Sequence, residues 1–170
     1  MDMRKIIFTI LLIAFGSFNL FAQSEITQEE YDFYSKFLSK DAVLNRNTVM
    51  EEIEGRVKKA LSKLPKDLVA DFLKKNEQSS RIENKLKGFE FPDQADPTWN
   101  IYNKDKNEIH FVYQKHQYVS RVGFSKGGKY ALVYRATSTD GIADGGSFII
   151  WLVREQSSWK EKKSFLVWEY

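Results

Sequence analysis

The stretch YVSRVGFSKGGKYALVYR, residues 118–135, decides the fold of this chain. Two runs rich in valine, tyrosine and phenylalanine flank Gly127-Gly128, which predicts a β-hairpin because both central residues of a two-residue turn adopt positive φ. The turn fixes which residues face each other. On one face these are Phe124 with Ala131, Val122 with Val133 and Ser120 with Arg135, and on the other they are Gly123 with Leu132 and Arg121 with Tyr134.

The residues after the hairpin predict two further antiparallel strands, residues 147–155 and 159–170, which extend it to a β-meander. Both faces of this predicted sheet carry apolar side chains, whereas a sheet with one face in water alternates more cleanly. We therefore expect helices to cover one face. A curled sheet, a ligand or a second subunit would cover the other.

Residues 24–88, which precede the sheet, predict helices. Thr27 followed three residues later by Glu30 has the pattern of a capping box at a helix N-terminus. Pro65 suits the first turn of another helix over residues 65–76, since its missing N–H has no partner there in any case.

The order of these elements predicts the fold class. Residues 99–116 fit both helix and strand, and we favour a short helix there. The prediction is one α+β domain over residues 23–170, with N-terminal helices packed on a C-terminal antiparallel β-meander of about four to five strands. This is a cystatin-like or NTF2-like layout, by analogy of arrangement only.

The first 22 residues have the layout of a secretory signal peptide. Arg4 and Lys5 precede an apolar run over residues 6–15, and the small residue Ala22 ends the segment. The run is too short to span a membrane, which takes about 20 apolar residues. We expect export to the periplasm or the medium, cleavage between Ala22 and Gln23, and no membrane insertion of the mature chain.

Composition narrows the function classes. The chain has 26 basic and 23 acidic residues and a formal net charge of +3, which gives no electrostatic case for nucleic acid as a partner. It has no cysteine, which excludes a thiol nucleophile, thiolate metal ligands and a lipid anchor on cysteine. An exported chain without disulfides must be held together by its core.

Arg121 is the principal candidate site residue, because a charge inside an apolar strand costs free energy unless something pairs with it. One interpretation gives it an internal carboxylate or backbone carbonyls as partners. The other makes it a ligand-binding group for an anion, in a pocket with Tyr130 and Tyr134 as walls. Both stay open at this point, and we favour the internal partner.

The other polar motifs predict neither a metal site, nor a cofactor, nor catalytic residues. His110 and His116 are too far apart on a helix or strand to chelate one ion. Ser120, a histidine and either Asp140 or Asp144 could be combined into a triad, but no local signature supports one. The glycine-rich segment after Asp140 lacks the ligand spacing of a calcium loop.

Two short motifs carry a resemblance to a known group. Residues 120–124 read Ser-Arg-Val-Gly-Phe and residues 131–134 read Ala-Leu-Val-Tyr, with Trp159 following. The C-terminal half resembles uncharacterised exported bacterial proteins with a Ser-Arg-x-Gly-Phe strand, an Ala-Leu-Val-Tyr strand and a late tryptophan. Residues 71–76 are similar to a helix of the same group. The resemblance implies helices followed by a meander, and no activity.

These observations together predict an exported small non-enzymatic binding or accessory protein whose ligand is a small molecule or a protein. The first alternative is a small hydrolase or lyase with a polar pocket at the mouth of the sheet. A structural protein that forms a homodimer through its sheet is the other.

Overall fold

A computed structural model of the chain describes residues 25–40, 42–89, 91, 100–103, 108–111, 115–139 and 142–169. The predicted leader with its cleavage site, and the loop residue Asp140, lie outside the described residues.

Three helices precede the long strands in the described part of the chain: α1 Gln28–Phe37, α2 Gly55–Leu61 and α3 Lys66–Lys75. Helix α1 begins at the predicted capping box, in which the Thr27 hydroxyl accepts from the Glu30 amide and the Glu30 carboxylate accepts from the Thr27 amide. Helix α3 follows Pro65, in agreement with the predicted helix over residues 65–76.

The strands form one large sheet and one separate pair. They are β1 Val43–Leu44, β2 Asn100–Asn103, β3 Glu108–Phe111, β4 Lys115–Val119, β5 Gly123–Phe124, β6 Tyr130–Thr139, β7 Ile142–Glu155 and β8 Ser158–Glu169. The six-stranded sheet has the order β1-β4-β6-β7-β8, with β5 also paired to β6. Strand β1 is parallel to β4, the other pairings are antiparallel, and β2 pairs with β3 alone.

This architecture confirms the predicted α+β class, with helices first and a mostly antiparallel sheet after them. The helix favoured within residues 99–116 is wrong, because the described residues of that segment lie in β2, β3 and the start of β4. A short apolar run fits both periods, and the cross-strand partners that decide between them are not visible in the run itself. Among the described helices, none has the length and apolar character needed to cross a membrane.

The hairpin forms around Gly127-Gly128 as the sequence predicts, but its hydrogen-bonded turn spans residues 125–128 instead of having both glycines as its two central residues. The Gly128 amide donates to the Ser125 carbonyl at 2.9 Å, and Gly127 and Gly128 have φ values of 84° and 66°. Strands β5 and β6 keep the predicted register, with Phe124 opposite Ala131 and Gly123 opposite Leu132.

The predicted register fails further from the turn. Arg135 lies opposite Val119, where the hairpin predicted Ser120, and Ser120 hydrogen-bonds to the backbone of Tyr134, where Arg121 was predicted. The chain between β4 and β5 has one residue more than the facing part of β6, which is a β-bulge. We call residues 120–122 the bulge segment.

Helices cover both faces of the sheet, which corrects the expectation that they cover one. Ala131 and Val133 of β6 pack in an apolar cluster with Phe33 of α1, on what we call the α1 face. Leu132 of the same strand packs in a second cluster with Phe72 of α3, on the α3 face. The chain crosses from one face to the other between α1 and α2, where β1 joins the sheet beside β4.

Helix α3 lies in very close contact with the sheet at Gly123. A Cβ atom built on this glycine would lie 2.4 Å from the Cβ of Phe72 and 2.6 Å from its Cα. Two heavy atoms cannot approach so closely, so a residue with a side chain at this position would push α3 away from β5. The glycine is therefore required by contact between two backbones.

We expect Gly123→Ala to lower the free energy of unfolding by about 3 kcal/mol or more, because the new methyl group overlaps the Phe72 backbone. Gly127→Ala is the matched control. It has φ 84° but nothing within 4 Å of an added Cβ, so only the backbone strain of about 1 kcal/mol applies. Urea unfolding of both variants measures the difference. Equal stabilities would contradict the close contact of α3 with β5.

Candidate functional site

The bulge segment turns the side chain of Arg121 into the protein, towards α1. Its Nε donates to Oε1 of Glu30 at 3.0 Å and its Nη2 to Oε2 at 2.6 Å, a bidentate ion pair. Nη2 also donates to the Glu25 carbonyl at 2.9 Å. The two side chains are 2% and 0% exposed. The interpretation that gives Arg121 an internal carboxylate is thus the one that the contacts support.

The capping box holds the Glu30 carboxylate in the position where it can pair with Arg121. Its carboxylate accepts from the Thr27 amide, from the Arg121 guanidinium and, at 3.1 Å, from the Val122 amide in the bulge segment. Burial raises the pKa of Glu30, but the hydrogen bonds from Arg121 and Thr27 outweigh it, so the net pKa lies below the ordinary value of 4.5.

The remaining polar groups of the bulge segment also have partners, some of them on the opposite face. The Tyr34 hydroxyl of α1 donates to the Ser120 carbonyl at 2.8 Å. The side chain of Asn76, just after α3, accepts from the Arg121 amide at 2.7 Å and donates to its carbonyl at 2.9 Å. The Ser120 hydroxyl accepts from the Tyr134 amide at 2.8 Å. The segment thus joins α1, α3 and β6.

The structure does not bring together the three residues predicted as a ligand-binding set. Arg121 points towards α1, whereas Tyr130 and Tyr134 belong to the cluster on the α3 face. The Tyr130 ring lies 5.7 Å from that of Trp151, and Tyr134 is buried. Ligand binding by any of the three stays a prediction, and the contacts give Arg121 a structural role.

Glu30→Gln should lower the free energy of unfolding at neutral pH by about 3 kcal/mol, because it leaves the buried Arg121 without a counter-charge. Since the native pKa of Glu30 is lowered, the ion pair stabilises the parent fully above about pH 4.5 and is lost as the pH falls through the native pKa. The difference between variant and parent should therefore shrink below about pH 4.5. Urea unfolding across this pH range measures it.

Glu29→Gln is the control for this prediction. The Glu29 side chain is 52% exposed, and its carboxylate lies 3.9 Å from Arg154. We expect its effect to stay below about 0.5 kcal/mol at every pH. A Glu30→Gln variant as stable as Glu29→Gln would mean that the buried pair contributes nothing.

A second polar arrangement, unpredicted from the sequence, lies at one end of the sheet. A cavity of about 290 Å³ opens where α1 ends, β4 begins and β6 ends. We call it the polar mouth. Its lining consists of Ser39, Ala42, Lys115, His116, Arg135, Thr137, Ser138, Thr139 and Gly145. The lining is mostly polar, with two cationic side chains and several hydroxyl groups.

Strand alternation and one buried amide shape this cavity. Arg135, Thr137 and Thr139 alternate along β6 on the face that α1 covers, because Ala131 and Val133 pack against α1 on the same strand. The Gln117 side chain donates to the carbonyls of Ser39 and Ala42, the latter at 3.2 Å, and so holds the chain after α1 against β4.

Arg135, which lines the polar mouth, has unusual surroundings for an arginine. It is half-buried, its Nε is buried without a hydrogen-bond partner, and its guanidinium carbon lies 5.9 Å from the centroid of the Phe37 ring. Burial lowers the pKa of Arg135. Glu161 attracts this charge, but within the described part of the chain no side chain forms a hydrogen bond or an ion pair with the guanidinium.

The sequence contained a signal for Arg135 that the hairpin argument left unused. Ala131, Val133 and Arg135 occupy alternate positions of one strand, so the charge follows two core residues on the same face. No group of three histidine, aspartate or glutamate side chains close enough to hold a metal ion occurs among the described residues. Of the two histidines, His116 lines the polar mouth.

Comparison of the chain with protein-family models, with curated proteins and with solved structures finds no match. The resemblance to exported bacterial proteins through the Ser-Arg-x-Gly-Phe and Ala-Leu-Val-Tyr strands stays a prediction. The fold and the site define an α+β protein with a helix-covered sheet and a polar cavity at one end.

Proposed function

We propose that this chain is an exported, non-enzymatic binding protein whose small-molecule ligand occupies the polar mouth. The observation that carries the proposal is a cavity of about 290 Å³ lined by polar side chains on paired strands. The apolar core lies elsewhere, in two clusters on the two faces of the sheet. A cavity lined by polar side chains and lying outside both apolar clusters has the character of a ligand site rather than a packing fault.

The scaffold around the cavity suits a site that does not change shape on binding. Lys115 and Thr139 are cross-strand partners, as are Gln117 and Thr137, so the backbone under the cavity is held by the ladder between β4 and β6. Side chains that bind a ligand are held more precisely on regular strands than on loops.

Occlusion of the cavity tests the binding proposal. Ala42→Trp should fill the polar mouth and abolish ligand-induced stabilisation, because Ala42 lines the cavity and its side chain is a single methyl group. Thermal melts with glucose, glycerol, glycine, lactate, gluconate and inorganic phosphate identify the compounds that raise the Tm of the parent. The same compounds should leave the Tm of Ala42→Trp unchanged.

Ser35→Trp is the matched control for this test. Ser35 is exposed on α1, outside the cavity lining, so the variant should respond to ligands as the parent does. Binding elsewhere would give an unchanged response in Ala42→Trp. A parent that no compound of the panel stabilises would also contradict the proposal.

Export is the second part of the proposal and depends on the first 22 residues. Expressed with its own N-terminus in a Gram-negative bacterium, the protein should leave the cytoplasm and begin at Gln23. The intact mass of the isolated protein measures where the chain begins. Leu12→Arg places a charge in the apolar run of the leader and should keep the uncleaved chain in the cytoplasm. An exported parent that retains Met1 would contradict cleavage.

A further inference from the structure

Arg121 and Arg135 both lie on the side of the sheet that α1 covers, and they differ in one respect that indicates the ligand. Arg121 is buried and has a carboxylate partner, Glu30, on two of its nitrogens. Arg135 is half-buried, its buried Nε has no hydrogen-bond partner, and the carboxylate that acts on its charge, Glu161, forms no ion pair with it within the described residues. A partly desolvated guanidinium without an ion-pair partner costs free energy that an incoming anion can recover.

We infer that the polar mouth binds a small hydroxycarboxylate, with its carboxylate on Arg135 and its hydroxyl groups towards the threonines. This inference rests on the proposed function and names its ligand class. Arginine binds carboxylates through parallel N–H donors, the geometry that Arg121 shows with Glu30 in the same molecule. Lys115 at the rim adds a second positive charge.

The hydroxyl groups of the lining define the rest of the ligand. Thr137 and Thr139 are half-buried, and each can donate and accept hydrogen bonds. An apolar acid would leave these groups unsatisfied in the complex, whereas a ligand with hydroxyl groups beside its carboxylate satisfies them.

The charge of the ligand is limited by α1. The helix ends at Phe37, and Ser39, two residues later, lines the cavity. The C-terminal end of a helix carries partial negative charge, which disfavours a doubly charged group near it. A carboxylate with one negative charge therefore suits the cavity better than a phosphate dianion.

The test is titration of the full mature protein with gluconate, glycerate and lactate, followed by thermal melts and isothermal calorimetry. We expect at least one of the three to raise the Tm with saturation, glycerol to have no effect, and inorganic phosphate to bind more weakly than the best carboxylate. Arg135→Gln should weaken the binding of that carboxylate by about tenfold or more, which is the usual loss of affinity when a hydrogen bond to a charged group is removed.

Two further variants make the result specific. Arg135→Gln should be at least as stable as the parent without ligand, because it removes a desolvated charge that forms no ion pair. Arg154→Gln is the matched control. Arg154 is 48% exposed, 3.9 Å from Glu29 and outside the cavity lining, so its loss should leave carboxylate binding unchanged.

The outcomes separate this inference from the proposed function. Glycerol or glucose binding that Ala42→Trp abolishes and Arg135→Gln leaves intact would overturn the hydroxycarboxylate and keep the binding site. Phosphate binding tighter than every carboxylate would overturn the ligand class alone. If none of the three carboxylates binds, or if Arg135→Gln binds them like the parent, the inference is wrong.

Discussion

The structure depends on the ion pair between Glu30 and Arg121 more than on any other polar contact. Taking two charges out of water costs several kcal/mol for each ion, so such a pair is tolerated only when its remaining donors and acceptors are also satisfied. Here the Thr27 and Val122 amides donate further hydrogen bonds to the Glu30 carboxylate. The Glu25 carbonyl accepts a hydrogen bond from the Arg121 guanidinium. The pair can form only when helix α1, the bulge segment and the sheet are all in place.

The same constraint organises both faces of the sheet. The Arg121 side chain of the bulge segment forms an ion pair with Glu30 of α1, and the Arg121 backbone hydrogen-bonds to Asn76 beside α3. The neighbouring Gly123 has no side chain, which lets Phe72 of α3 approach the strand. One irregular stretch of three residues therefore sets the position of a helix on each side. A regular strand would point alternate residues to the two faces but would leave no extra backbone groups for Asn76 and Glu30 to bind.

The polar mouth lies on the α1 face, at the end where this organisation stops. Helix α1 has ended, β8 is separated from β6 by β7, and the residues that continue the inward side of β6 are Arg135, Thr137 and Thr139. The apolar cluster needs α1 as its cover, so polar residues take over where that cover ends. The length of α1 thus determines both where the apolar cluster ends and where the cavity begins.

The sequence by itself determined the features that depend on neighbouring residues: the capping box at Thr27, helix α3 after Pro65, and the hairpin around Gly127-Gly128 with the register beside it. These follow from backbone chemistry within a few residues. Only the tertiary structure decided the bulge, the helices on both faces, the ion-pair partner of Arg121 and the lack of an ion pair for Arg135. Arg121 and Glu30 are 91 residues apart, and no local pattern specifies which of 23 acidic side chains a buried arginine meets.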